Sequence, residues 1–296
     1  MRLRFVGLGI VLFAASAVVP LGTSQAAAQD WEPVAPFQVA DNIYFVGNSQ
    51  IAVYLITGPD GHILLDTGYE SMVPEVVASI EALGFSPTDI RFIASSHAHF
   101  DHVGGHAAMK ALTGAEIIAV PGDLETLEAG GVTDPVLGER NRFPPVEVDR
   151  ELMDAEAVVL GDFEMIAYVT AGHTAGCTSW TMRADVDGVE RTVVFVCSLS
   201  ILGGTRLLDP NASYRGIGQD YRRSVQLLRS SGCEVFLGPH GSFFNLDEKL
   251  AALQAGAAEN PFVDPEGCAA YVNQAEETFL SRLAEEGGTD PAPPGQ

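Results

Sequence analysis

Residues 97–102 read His-Ala-His-Phe-Asp-His, directly after the strand-like run RFIASS and one residue before a Gly-Gly-His that opens a helical segment. Histidines two residues apart do not share a helix face, where neighbours lie three or four apart. The segment therefore reads as a turn at a strand end that directs several side chains inward. A strand end followed by such a turn is a common place for sites in α/β proteins. Neutral imidazole is a leading zinc ligand, and a carboxylate beside it can hold a second ion. Three histidines and an aspartate within six residues are poorly explained as surface decoration, so the first reading is a two-zinc hydrolytic site.

The remaining ligands must come from elsewhere in the chain. His173 lies in TAGHTAGCTSW after a strand at 163–169, and His240 lies in FLGPHGSFF after a strand at 235–238. Each stands at a strand end in a glycine-rich turn, where backbone can pass close to an ion. Alone, either would serve equally well as a core or loop histidine; with the first motif present, both become candidate ligands. His106 follows His102 by one helical turn and reads as support for the ligands. His62 precedes a strand in a Gly-His turn and is expected to face solvent.

Val-, Ile- and Phe-rich runs bounded by Gly, Pro and Asp predict strands at 51–57, 62–66, 92–95, 117–120, 163–169, 179–182, 192–196 and 235–238. Helical periodicity covers 72–83, 104–112, 219–229, 246–257 and 268–284. No Pro-, Gly- or Ser-rich linker interrupts the middle, and one α/β domain over 29–286 is the simpler organisation. The irregular stretch 128–145 is either a flap over a site or a passive surface insertion. The segment 287–296, GGTDPAPPGQ, reads as a disordered tail.

The chain opens with Arg2, Arg4, an apolar run over 5–20 and Ala26-Ala27-Ala28. That order fits a cleavable export signal over 1–28, and the apolar run is short for a membrane span. A periplasmic or secreted protein is expected, with no membrane contact after cleavage. The formal charge is −23, and removing the two leader arginines leaves 14 basic against 39 acidic residues, or −25. So acidic a surface disfavours nucleic acid and anionic membranes as partners. Export permits disulfides, and Cys177, Cys197, Cys233 and Cys268 allow three complete pairings. Cys177 and Cys197 stand near candidate ligands; Cys233 and Cys268 flank a helical region and are the better pair.

At this point the chain resembles the metallo-β-lactamase superfamily and, within it, the subclass B3 enzymes. The likeness runs from about residue 31 to 284. It rests on LLDTG at 64–68, HAHFDH at 97–102, GHT at 172–174, CSLS at 197–200, DYRRS at 220–224 and GPHG at 238–241. His102, Ser198 in place of a cysteine ligand, and the Cys233–Cys268 spacing carry the subclass. The resemblance implies a four-layer αβ/βα sandwich. It implies one zinc on His97, His99 and His173, a second on Asp101, His102 and His240, and a Cys233–Cys268 disulfide. The activity implied is hydrolysis of the β-lactam ring by zinc-bound hydroxide, conferring antibiotic resistance. A small-molecule lactam is then the partner, and a monomer is expected. Asp101 would double as a catalytic group, Ser198 and Ser200 would bind the substrate carboxylate unless they are ordinary strand-end serines, and Asp66 would either hold a ligand histidine or cap its turn.

Two departures are informative. Many relatives have proline where this chain has Ala175, which should slightly loosen the turn after His173. Hydrolases of the glyoxalase II and lactonase type bring a bridging aspartate in near position 197, and here Cys197 stands there. A two-zinc lactonase, or another hydrolase of the superfamily, remains the rival reading.

Overall fold

The computed structural model describes residues 32–289. The expected leader, Trp31 and the segment 290–296 lie outside the described residues. Two sheets form the frame. In the first, β1 (Phe37–Ala40), β2 (Ile43–Phe45), β3 (Tyr54–Gly58) and β4 (Gly61–Leu65) pair antiparallel, and β5 (Ile90–Ala94), β6 (Glu116–Ala119) and β7 (Arg150–Glu151) continue in parallel. In the second, β8 (Glu156–Leu160), β9 (Phe163–Val169), β10 (Thr178–Val186) and β11 (Val189–Phe195) pair antiparallel, with β12 (Val235–Leu237) parallel at the edge. The helices are α1 (Val73–Ala82), α2 (Phe100–Val103), α3 (His106–Thr113), α4 (Pro121–Glu128), α5 (Ile217–Arg229), α6 (Leu246–Gln254) and α7 (Pro265–Glu285).

The alternation of a strand explains the layers. On β3 and β4, Tyr54, Ile56, Ile63 and Leu65 join Met165, Ala167, Trp180 and Phe195 in the core between the sheets. The intervening Leu55 and Leu64 face the other way and pack with Val76, Ile80, Met109 and Leu127 of the helices. Side chains two apart share a face, so strands apolar at every position must be covered on both sides. Val225 and Leu228 of α5 and Val272 of α7 extend the core beyond the second sheet. The result is the expected αβ/βα sandwich. Each large apolar side chain moved from water into it contributes about 1.5–3 kcal/mol. Two polar contacts cross the frame towards the site: Trp180 Nε1 donates to Ser95 O (3.0 Å), and Tyr54 Oη donates to Gly238 O (2.8 Å).

The strand expected at 163–169 coincides with β9, and the expected helices are displaced by a few residues at their ends. Helix α7 begins three residues early because Asp264 caps it, accepting from Gly267 N, with Pro265 in the first turn. Gly287 N and Gly288 N donate to Ala284 O and Leu283 O at the end of α7. His62 is buried, contrary to expectation. Pro59 and Asp60 take the turn, while His62 is already in β4 between β3 and β5, with its ring edge-on to Phe85 at 5.2 Å. Cys233–Cys268 and Cys177–Cys197 are both bonded, which selects one of the three pairings. Among the described residues no helix is long and apolar enough to cross a membrane.

Candidate metal centre

Every candidate ligand sits just after a strand: His97, His99, Asp101 and His102 after β5, His173 after β9, and His240 after β12. The loop after β5 is held from beneath by Asp66. Its Oδ1 accepts from Ser96 N (2.7 Å) and its Oδ2 from Ser96 Oγ (2.7 Å). Thr67 N and Gly68 N then donate to His102 O, locking the turn that follows β4 to the helix carrying His102. The turn bearing His173 depends on Gly172, at φ 145°, where an added Cβ would stand 2.9 Å from the Tyr221 ring.

These turns bring two sets of donors together. His97, His99 and His173 form one, and Asp101, His102 and His240 the other; within each set the candidate ligand atoms lie within 4.8 Å of one another. In the first set, His173 Nδ1 donates to Ser200 O (2.7 Å), His99 Nε2 meets Asp134 Oδ2 (3.2 Å), and His97 Nδ1 meets Ser96 Oγ (3.0 Å). Each ring thus has one nitrogen occupied and one left over. The leftover Nε2 of His97 is buried with no protein partner, an arrangement that costs about 1–3 kcal/mol unless something else binds there. In the second set, His102 Nε2 lies 3.4 Å from Asp101 Oδ2 and 3.2 Å from His240 Nε2, while His102 Nδ1 lies 3.4 Å from Asp66 Oδ2. Imidazole nitrogens and a carboxylate converging in this way fit divalent zinc.

The electrostatics agree. Burial, reinforced by the neighbouring histidines, pushes His97 well below the usual histidine range. Burial lowers His173 to about 3 and His240 to about 4. These imidazoles are neutral at pH 7, the form that binds a metal. Burial opposes a charge on His102 too, but Asp101 and Asp66 outweigh it and raise its pKa to about 10. Asp101 is pushed up by burial yet pulled further down by His102 and His240.

Three residues that the sequence did not single out complete the centre. Asp123 accepts from Ala98 N (2.8 Å), Thr174 Oγ1 (3.1 Å) and Gly176 N (3.0 Å), binding the His97–His102 loop to the His173 turn. It supplies the rigidity that Ala175, in place of proline, does not. Asp134 holds His99, and Asn141 holds the backbone beside it. His106 is buried, its Nδ1 on Thr67 Oγ1 (2.8 Å), in a supporting position. Ser198, expected to bind a substrate carboxylate, is buried, and its Oγ accepts from Ser200 N (3.1 Å). Ser200 is exposed, and its carbonyl accepts from both His173 and Tyr221 Oη. Cys197 Sγ lies 3.8 Å from His97 Nδ1, but its bond to Cys177 removes both thiolates as ligands.

A sandwich with two sets of nitrogen and oxygen donors at its strand ends defines a metal-dependent hydrolase. The chain belongs to the metallo-β-lactamase superfamily, whose family model matches residues 46–240. Solved structures narrow the likeness. Native FEZ-1 metallo-β-lactamase from Legionella gormanii is 37% identical with a TM-score of 0.84, over 87% of this chain and 98% of that one. BJP-1, a subclass B3 metallo-β-lactamase of Bradyrhizobium japonicum, is 36% identical with a TM-score of 0.80, over 86% and 96%. The likeness to subclass B3 expected from the sequence is thus borne out. Curated relatives of other activities match over shorter spans. A hydroxyacylglutathione hydrolase from Rhodospirillum rubrum is 32% identical over 106 residues, 36% of this chain and 33% of its own length. An N-acyl homoserine lactonase from Bacillus sp is 24% identical over 169 residues, 46% of this chain and 59% of its own length.

Proposed function

We propose that this protein hydrolyses the β-lactam ring of penicillins, cephalosporins and carbapenems, using two zinc ions and conferring resistance on its host. The two convergent donor sets, on a chain similar to subclass B3 enzymes over nearly their whole length, carry the reading. His97, His99 and His173 would hold one zinc, and Asp101, His102 and His240 the other. Zinc bound there supplies Lewis acidity and lowers the pKa of its water towards 7. The chain's own residues do the rest. Ser96, Asp134 and Ser200 O fix the rings of the first set, and Asp66 supports His102. Asp101 is at once a ligand and a carboxylate that can orient the attacking water through a hydrogen bond. The hydroxyl of the exposed Ser200, whose carbonyl holds His173, would donate to a substrate carboxylate. No serine nucleophile is required. Export through the leader over 1–28 would deliver the enzyme to the periplasm or the medium, as a monomer.

The curated relatives favour a second reading, a lactonase or glutathione-thioester hydrolase. Against it, the position where such enzymes bring a bridging aspartate is Cys197, committed to a disulfide. Parallel assays of a chromogenic cephalosporin, a penicillin, a carbapenem, an N-acyl homoserine lactone and a hydroxyacylglutathione, each with and without chelator, separate the two. Chelator-sensitive turnover of the lactams supports the proposal. Turnover of the lactone or thioester with none of any lactam overturns it.

A further inference from the structure

Apart from a short 3-10 turn at Gly138–Asn141, the chain between α4 and β7 is irregular, and the sequence left it as a flap or a passive insertion. Two of its polar side chains, Asp134 and Asn141, point inward, towards one ligand. Asn141 is fully buried. Its Nδ2 donates to Ala98 O (2.9 Å) and its Oδ1 accepts from Phe100 N (2.9 Å), so one side chain grips the backbone on both sides of His99. Asp134, 6% exposed, divides its oxygens. Oδ1 accepts from Val136 N (2.9 Å) and Leu137 N, which fixes the carboxylate, and Oδ2 meets the His99 ring (3.2 Å). Gly131, at φ 87°, passes so close to Asn141 that a Cβ there would lie 1.8 Å from its carbonyl oxygen. The loop is closed down onto the ligand turn.

We propose that the 131–141 loop is a positioning element for the first metal, acting through Asp134 on His99. This rests on the metal centre read above. A neutral imidazole carries one N–H and one lone pair. With Nε2 facing the Asp134 carboxylate, a metal-bound His99 would carry its hydrogen there and leave Nδ1 for the metal. In His173 the carbonyl of Ser200 imposes the opposite choice, since Nδ1 donates there and Nε2 is left free. Asp134 therefore selects the ligand atom of His99, and Asn141 fixes where that atom points. A carboxylate partner of this kind also raises ligand basicity, and its loss typically costs 10–100-fold in metal affinity.

Asp134→Asn tests the idea. The amide oxygen retains the bonds to Val136 N and Leu137 N, and the NH2 turns towards His99. Nε2 must then accept, and the proton moves to Nδ1. The zinc affinity of the full chain, measured by competition with a fluorescent chelator, should fall about 10–100-fold at one of two sites. The melting temperature of the metal-free protein should not change. Wild-type affinity at both sites in this variant would overturn the proposal. Should the variant fold poorly, 15N NMR of the histidine-labelled, zinc-loaded wild-type chain decides: the proposal requires protonated Nε2 on His99, and protonated Nδ1 there overturns it. Neither readout uses a lactam. A wild-type chain that binds no zinc would refute the metal centre itself; one that binds zinc but opens no lactam would refute only the proposed substrate.

Discussion

The two donor sets adjoin each other but are built differently. His97, His99 and His173 are all imidazoles, each held at one nitrogen by a separate group: a hydroxyl, a carboxylate and a backbone carbonyl. Asp101, His102 and His240 include a negative charge, and two of the three reach solvent, with side chains 18% exposed for Asp101 and 28% for His240. The first set owes its arrangement to preorganisation, and the second draws a cation by charge. Buried, braced nitrogens bind by geometry that has been fixed during folding. A partly exposed carboxylate binds by attraction that water and salt can moderate.

The largest expected effect comes from the braced set. Replacing His99 by Ala should lower kcat/KM for a cephalosporin by about a thousandfold or more, the scale on which transition-state electrostatics act. A loss of less than tenfold would show that the first set is not essential. Next, Asp101→Ala should remove one metal and leave the other, with activity down by about a hundredfold or more. Elemental analysis checks this, and two zinc ions per chain in that variant would undo the assignment of the second set. Asp66→Asn should weaken one site by about 10–100-fold, by loosening His102. Chelator titration of that variant should find the larger loss at the charged set and a smaller one at the three-histidine set, because Asp66 also holds Ser96, whose hydroxyl braces His97. The smallest effect belongs to Ser200→Ala, which should raise KM by about five- to tenfold at constant kcat, the loss of one hydrogen bond to a charged group. Equal Michaelis parameters would remove Ser200 from substrate binding.

What was legible in the sequence follows the same division. The six-residue motif is local, and its i, i+2 spacing announces inward-turned ligands without any knowledge of the fold. His173 and His240 were found because strand ends are marked by apolar runs that stop at glycine. The bracing residues were not legible. Asp123, Asp134 and Asn141 are single polar side chains in segments without periodicity, and their partners lie 25 to 53 residues away. Helix α4 went unread because PGDLETLE buries only Asp123 and Leu127 and so shows no apolar stripe. His62 was assigned outward because Gly-His looks like the apex of a turn, and the apex lies two residues earlier. The Cys233–Cys268 pair was legible, because the two flank a helical region, and Cys177–Cys197 takes the two that remain.

The central claim is that two donor sets, differently built, together open a lactam ring. Titrating the metal-free chain with zinc while following hydrolysis of a chromogenic cephalosporin tests it most directly. Activity should be absent without metal, should appear as zinc is added and should level off near two equivalents per chain. Activity that persists in the metal-free chain, or no cephalosporin turnover at any zinc concentration, would contradict the account.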